Sequence, residues 1–257
     1  MSTALVTGAS SGIGREFCRQ LAREGWDLVV VARNTEKLQK VAARLGKDYG
    51  TKCEILPADL TKPADTDKVA ARLVDTENPI DMLVNNAGHA LGQTFVDGKL
   101  QRELDALDVM VRAVLILSHA AAGAMKRRGR GGIINISSVA AGTAMGTYAA
   151  AKAWVNTFSE VLATELKGTG VHVTSVRPGT TETDFFDSAG FRIEELPTVA
   201  RLTATQVVSD ALAAHKAGKV EVVPSLVYKI MDFAARKGPR VLVRKFAGND
   251  ASQRFKL

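Results

Sequence analysis

Short apolar runs alternate with longer stretches of helical periodicity along the chain. The runs cover residues 3–7 (TALVT), 27–32 (DLVVVA), 52–57, 81–85, 132–137, 171–176 and 219–224. They are nearly continuous in Val, Leu and Ile, the pattern of a strand buried on both faces. Between them, residues 15–24, 35–49, 63–77, 99–128, 147–167 and 203–217 read as helices. The second of these puts Leu38, Val41, Ala42 and Leu45 on one face. No Pro- or Gly-rich linker, internal repeat or low-complexity segment interrupts the alternation. The pattern predicts a single α/β domain over residues 1–257, a doubly wound parallel sheet between two helical layers.

Three stretches stand out from this pattern. Residues 104–125 are apolar almost all round, which predicts a buried helix at a subunit interface. No run approaches the ~20 apolar residues of a membrane span. Residues 183–200 are irregular and carry Phe185, Phe186, Phe191 and Leu196. A loop of this length inside a compact domain is usually functional, often a lid; its phenylalanines read equally as the lining of an apolar substrate pocket or as core residues under that lid. Residues 219–257 hold the last strand and a basic tail.

Charge changes the picture only at that tail. The net charge is +7, and nine basic against three acidic residues from 219 to 257 supply most of it. The rest of the chain is nearly neutral, which argues against a nucleic-acid surface spread over the domain. The tail mixes apolar and basic residues, so it could lie on an anionic membrane. Gly238 and Pro239 interrupt it, and packing on the domain or on a neighbouring subunit is the preferred expectation. Two cysteines, Cys18 and Cys53, make no disulfide framework, and no cluster has metal-ligand spacing. A cytoplasmic location is expected.

The candidate chemistry begins at the first strand. TGASSGIG, residues 7–14, joins that strand to an amphipathic helix. Gly8, Gly12 and Gly14 allow a tight turn and close approach of a pyrophosphate to the helix N-terminus. Arg33 ends the second strand, where a dinucleotide-binding fold meets the adenosine ribose. An acidic residue there would bind a 2′-hydroxyl; an arginine accommodates a 2′-phosphate, so NADP (NADPH) is expected over NAD. Arg15 could assist. Tyr148 and Lys152 are four apart in an alanine-rich helix, on one face. A cation there would favour the phenolate and lower the tyrosine pKa towards working pH. Ser137 and Ser138 lie just upstream. His89 reads as a pocket-lining or solvent-facing side chain.

Taken together and in order, TGASSGIG, Asp59, NNAG (85–88), Ser138, YAAAK (148–152) and PGTTET (178–183) resemble the short-chain dehydrogenase/reductase family. The resemblance covers most of the chain up to about residue 183. It implies a single-domain Rossmann fold and hydride transfer between a nicotinamide and a carbonyl or secondary alcohol. Gly8, Ser10, Gly12, Ile13 and Gly14 would hold the diphosphate and adenosine side. Arg33 would contact the 2′-phosphate, and Asp59 and Leu60 would border the adenine. Asn86, Ala87 and Gly88 would lie along the ribose; Pro178, Gly179, Thr181 and Thr183 would hold the nicotinamide end. Tyr148 would exchange a proton with the substrate oxygen. Lys152 would hold the ribose and lower the tyrosine pKa, and Ser138 would position the substrate. A homodimer or homotetramer is implied, with a small-molecule carbonyl or alcohol substrate; the three phenylalanines of the 183–200 loop, not the resemblance, suggest that it is apolar.

Two departures from the family pattern qualify this reading. The family's usual Asn in the long helix is here Asp108. Its carboxylate could pair with Lys152, weaken a proton path to it, or change little. Ser138 and Tyr148 are ten positions apart, about three fewer than is common in the family, so one pocket wall is expected to differ. Ser137 is the fallback for the serine role. Both departures keep open an alternative, a dinucleotide-binding sensor with weak or lost catalysis.

Overall fold

The computed structural model describes residues 2–183 and 201–246. The predicted loop segment 184–200, with its three phenylalanines, lies outside the described residues. Seven parallel strands form one sheet in the order β3-β2-β1-β4-β5-β6-β9. They are β1 Thr3–Thr7, β2 Asp27–Ala32, β3 Cys53–Pro57, β4 Met82–Asn85, β5 Gly131–Ile136, β6 Val171–Val176 and β9 Glu221–Val222. The short strands β7 Thr181–Glu182 and β8 Leu202–Thr203 pair in parallel as a separate clasp. The predicted doubly wound sheet is present, and most predicted element ends agree within two residues.

The two faces of the sheet carry two separate cores. Ala4, Val6, Leu28, Val30, Ile134 and Ile136 face one side. There they meet Phe17 and Leu21 of α1 (Gly12–Arg23), Leu38 of α2 (Thr35–Tyr49) and Val207 of α7 (Ala204–Lys216). Leu5, Val29, Val31, Leu83 and Ile133 face the other. They meet Leu73 of α3 (Pro63–Leu73), Leu117 and Met125 of α5 (Ala113–Arg128), and Leu162 of α6 (Gly146–Glu165). Alternate residues of one strand serve opposite layers because side chains on a strand have period two. Burial on both faces is why the strands read as continuous apolar runs.

A buried polar network seats α6 on the second face. The Asn85 amide donates to Ser118 Oγ at 3.0 Å and Asn135 Oδ1 at 2.9 Å. The Asn135 amide donates to Ser159 Oγ at 2.9 Å. The Ser175 hydroxyl donates to Asn156 Oδ1 at 2.7 Å, and the Ser137 hydroxyl to the Lys152 carbonyl at 2.8 Å. Four of these five bonds lie between strand or strand-end residues and a helix. Losing one partner would leave buried groups unsatisfied, at about 1–3 kcal/mol each.

Several sequence expectations are corrected. Helix α3 ends at Leu73, not at residue 77. The Asp75 carboxylate accepts from the backbone N–H groups of Glu77 and Asn78, which turns the chain out of the helix. The 99–128 stretch is α4 (Leu100–Leu107), a π-helical turn (Asp108–Arg112) and α5. It is not buried all round: Leu104, Leu107 and Leu115 are exposed. By length and composition this helix could also cross a membrane, contrary to the expectation that no run qualifies. Its α5 part, however, packs Leu117, Ala121 and Met125 into the core between α3 and the sheet. The last strand keeps only Glu221–Val222 on the ladder, since Pro224 has no N–H to give and Ser225 turns with φ 75°.

Candidate active site

The cleft lies at the carboxyl ends of the strands, where the chain order reverses between β1 and β4. This is the switch point at which open α/β sheets bind ligands. Thr7 ties the two strand ends together. Its hydroxyl accepts from the N–H groups of Asn86 at 2.9 Å and Ala87 at 3.0 Å. The Asn86 amide returns a bond to the Thr7 carbonyl at 2.9 Å. Gly8 follows with φ 67°, and a Cβ there would come within 2.7 Å of Asn86 Nδ2. A Cβ at Gly14 would collide with the Gly8 carbonyl and with Asn86. Only glycine fits at either place. Helix α1 then starts behind Ser11, whose side chain makes no capping bond. The first N–H groups of α1 therefore have no side-chain cap and face the cleft.

Arg33, Asn34, Lys37, Asp59, Leu60 and Thr61 line one end of the cleft. Burial works against the Asp59 charge, but hydrogen bonds from Thr61 and the charges of Arg33 and Lys62 outweigh it. The carboxyl is held below its ordinary value. Asn34 caps α2 by accepting from Lys37 N at 2.8 Å. Lys37 lines the cleft as Arg33 does, a second cation not singled out from the sequence. The motif Arg33–Asn34–Thr35–Glu36–Lys37, a strand end followed by a helix cap, carried the signal.

Tyr148 and Lys152 stand at the opposite end, on the first two turns of α6, and both are buried. The Lys152 ammonium donates to the Ile136 carbonyl at 2.8 Å and lies 5.7 Å from the Tyr148 ring centroid. A Cβ on Gly88 would sit 3.6 Å from it, so NNAG borders the lysine. Ser138 lies in hydrogen-bonding reach of the phenol. Its Oγ also accepts from Ala140 N at 3.1 Å, capping the 3-10 turn Val139–Gly142. Ser137 is turned the other way, into the contact with α6. The short 138–148 segment thus still delivers Ser138 to Tyr148.

Burial decides the protonation states. It pushes the Tyr148 phenol up to about 12, against the smaller pull of Ser138. It pushes the Lys152 ammonium down to about 8. The expected lowering of the tyrosine by the lysine is not met in the protein without its cofactor: burial raises the phenol, and the one group that pulls it down is Ser138. His89 lines the cleft and is held low by burial and by Arg33, Arg102 and Lys152.

Asp108 is not brought to Lys152. Its carboxylate faces Arg112 Nη1 at 3.4 Å, one helical turn on, while its neighbour Val109 lines the cleft. Its main-chain carbonyl accepts from Ala113 in the π-helical turn.

The C-terminal segment packs on the domain, the preferred expectation from the sequence, and there it also lines the cleft. Helix α8 (Leu226–Lys237) is followed by α9 (Arg240–Phe246). Tyr228 is buried against Gly179, where any Cβ would strike its ring, and its hydroxyl accepts from Thr180 N at 3.0 Å. Arg177 is buried and pairs with Glu221 at 3.2 Å and Asp232 at 3.3 Å, holding α8 against β6 and β9. Arg240 donates to the Gly142 carbonyl at 2.8 Å. Gly12 approaches Thr183 across the mouth, and Pro178, Gly179, Thr181 and Thr183 line the floor. The cleft has a volume of about 1430 Å³ and ends among Met145, Met231, Phe233 and Leu242.

Lys152 gives a stability test. Its folded value, about 8, lies below the ordinary 10.5. A group depressed in this way contributes its stability above pH 10.5 and loses it as pH falls through about 8. At pH 7 the buried charge is a net cost. Lys152→Met is expected to raise unfolding stability at pH 7 by roughly 1–3 kcal/mol. In urea titrations the gap should narrow as pH rises from 8 towards 10. Equal stability at pH 7 would contradict the buried charge.

Comparison with known proteins agrees with this geometry. A family model for short chain dehydrogenases matches residues 2–191. An uncharacterised oxidoreductase of Staphylococcus aureus is 36% identical over 183 residues, covering 70% of this chain and 78% of the relative. A short-chain dehydrogenase from Sphingobium yanoikuyae, solved in complex with NADPH, superposes with a TM-score of 0.84 at 35% identity, over 93% of this chain and 94% of that one. A bulky-bulky ketone specific alcohol dehydrogenase from Comamonas testosteroni gives 0.80 at 30%, over 98% of both chains. A glycine turn, an Asn-Asn-Ala-Gly strand end and a Ser–Tyr–Lys cluster in one cleft, matched across most of the chain, make this protein an oxidoreductase of the short-chain dehydrogenase/reductase family.

Proposed function

We propose that the protein is an NADP(H)-dependent oxidoreductase acting on the carbonyl or secondary alcohol of a small apolar molecule. The observation that carries this reading is the pairing of two chemistries in one cleft. Arg33 and Lys37 mark one end, and a buried, protonated Tyr148 beside Ser138 and Lys152 marks the other. The residues fit a dinucleotide. Glycine-only positions at 8 and 14 admit close approach, and the uncapped N-terminus of α1 offers N–H donors to a diphosphate. Ser10, Gly12 and Ile13 complete that turn, and Asp59 and Leu60 border the adenine. Asn86, Ala87 and Gly88 would hold the ribose, and Pro178, Gly179, Thr181 and Thr183 would hold the nicotinamide end, as all of them line the same cleft. The solved relative from Sphingobium yanoikuyae, in complex with NADPH, supports the cofactor class. The bulky-ketone dehydrogenase supports the substrate class.

When bound, the nicotinamide supplies or accepts the hydride. The protein's own groups handle the proton and the geometry. Ser138 donates a hydrogen bond to the substrate oxygen and holds it against Tyr148. Tyr148, protonated at working pH, gives its proton to that oxygen in reduction. The phenolate left behind is stabilised by the Lys152 ammonium, and by the Ser138 hydroxyl once that hydroxyl turns from the newly protonated substrate oxygen to the phenolate. The Lys152 cation is itself anchored by the Ile136 carbonyl, so it does not have to reorganise. Buried Met145 lines the cleft beside this cluster, and Met231 and Leu242 line its exposed margin. Asp108 stands outside this set, its carboxylate on Arg112 and its main-chain carbonyl on the Ala113 N–H.

The binding-only alternative rested on Asp108 and on the short serine-to-tyrosine segment. One lies outside the cleft and the other still assembles the cluster, so neither favours it. The exposed Leu104, Leu107, Leu115 and Val161 of α4, α5 and α6 support a homodimer or homotetramer through these helices. Free cysteines at 18 and 53 are in keeping with a reducing cytoplasm.

A panel of bulky ketones with NADPH tests the activity. Tyr148→Phe is expected to lower turnover by ~10²–10⁴-fold while NADPH still binds. Full activity in that variant would remove the assigned acid. The coenzyme preference has its own test. Arg33→Ala should weaken NADPH binding by about 10–100-fold and leave NADH nearly unchanged. Equal losses for both, measured by fluorescence titration, would overturn the 2′-phosphate assignment.

A further inference from the structure

Helix α8 buries one side and leaves the other apolar. Tyr228 and Asp232 point inward. On the outward stripe, Leu226 is 72% exposed, Ile230 63% and Phe233 67%; Val241 of α9 is 66% exposed. Leu226, Ile230 and Phe233 follow the i, i+4, i+7 spacing of one helical face. No other part of the described structure exposes so many large apolar side chains so close together. The Gly238–Pro239 break, expected to spoil an amphipathic tail, only separates α8 from α9.

The same surface is basic. Lys229, Arg236, Lys237, Arg240, Arg244 and Lys245 lie on α8 and α9, and all are exposed; of these, Arg236 also meets Glu221 at 3.3 Å and Arg240 the Gly142 carbonyl at 2.8 Å. The one acidic residue of these helices, Asp232, is buried and paired with Arg177. The cleft opens here too, since Met231, Phe233 and Leu242 line it and remain exposed.

We propose that the α8–α9 surface docks on an anionic lipid bilayer, with its apolar stripe in the headgroup boundary and its cations on the lipid phosphates. Charge decides between this partner and a second copy of the chain. Two such surfaces face to face would set cations against cations, with the one carboxylate already committed. Docking there presents the cleft mouth to the bilayer, a route for an apolar substrate; that last point rests on the proposed function, whereas the docking does not.

The test is co-sedimentation of the full chain with vesicles, which needs no activity. It is expected to pellet with vesicles containing phosphatidylglycerol, to stay in solution with phosphatidylcholine alone, and to be released by high salt. Leu226→Ser with Ile230→Ser should lower binding by at least about tenfold, as should Lys229→Glu with Arg244→Glu. All four side chains are exposed, so both variants should keep the wild-type melting temperature. No binding to anionic vesicles, or equal binding by wild type and the serine variant, overturns the proposal. So does sedimentation velocity showing that the serine variant splits an oligomer while the wild type ignores vesicles, the result expected if a second copy covers this face.

Discussion

The seating of α6 on the sheet is the constraint on which the site depends. Apolar contact is non-directional and would let a helix of alanines slide along its strands. Hydrogen bonds in the interior do not allow that. Asn135 holds Ser159, Ser175 holds Asn156, and Ser137 holds the carbonyl of Lys152 itself. With the helix fixed at these points, Tyr148 and Lys152 stand at the strand ends, within reach of Ser138 and the Asn-Asn-Ala-Gly turn. A shift of one turn would move both out of the cleft by about 5.4 Å.

That depth also sets the electrostatics. Burial raises the phenol and depresses the ammonium, so both groups shift towards neutrality. The resting protein therefore holds a proton donor. Its conjugate base becomes accessible through the charge on Lys152 and the donor at Ser138 when a proton leaves. The buried cation is costly to stability and useful to chemistry, a pattern common at active sites.

The sheet was legible because its strands are buried on both faces and read as unbroken apolar runs. The glycine turn was legible because Gly8 and Gly14 admit no side chain. Arg33 could be placed because it follows a strand directly. Other features depend on residues distant in sequence. The end of α3 is set by a side-chain turn at Asp75, which no periodicity records. The exposed leucines of α4 and α5 differ from the buried ones only in which layer meets them. Lys37 was hidden in a helix cap, and Tyr228 reaches Gly179 across nearly fifty residues. The direction of the tyrosine shift was missed because spacing shows that a cation is near but not how much water is lost.

The chemistry depends on Tyr148 being a buried, protonated acid. Its titration can be isolated by subtracting the near-ultraviolet phenolate absorbance of Tyr148→Phe from that of the wild type, in protein free of cofactor. No ionisation of Tyr148 is expected below about pH 11, since burial pushes the phenol up to about 12. A phenol that ionises with a midpoint at or below about 9 would show that Lys152 outweighs burial, and would contradict this expectation.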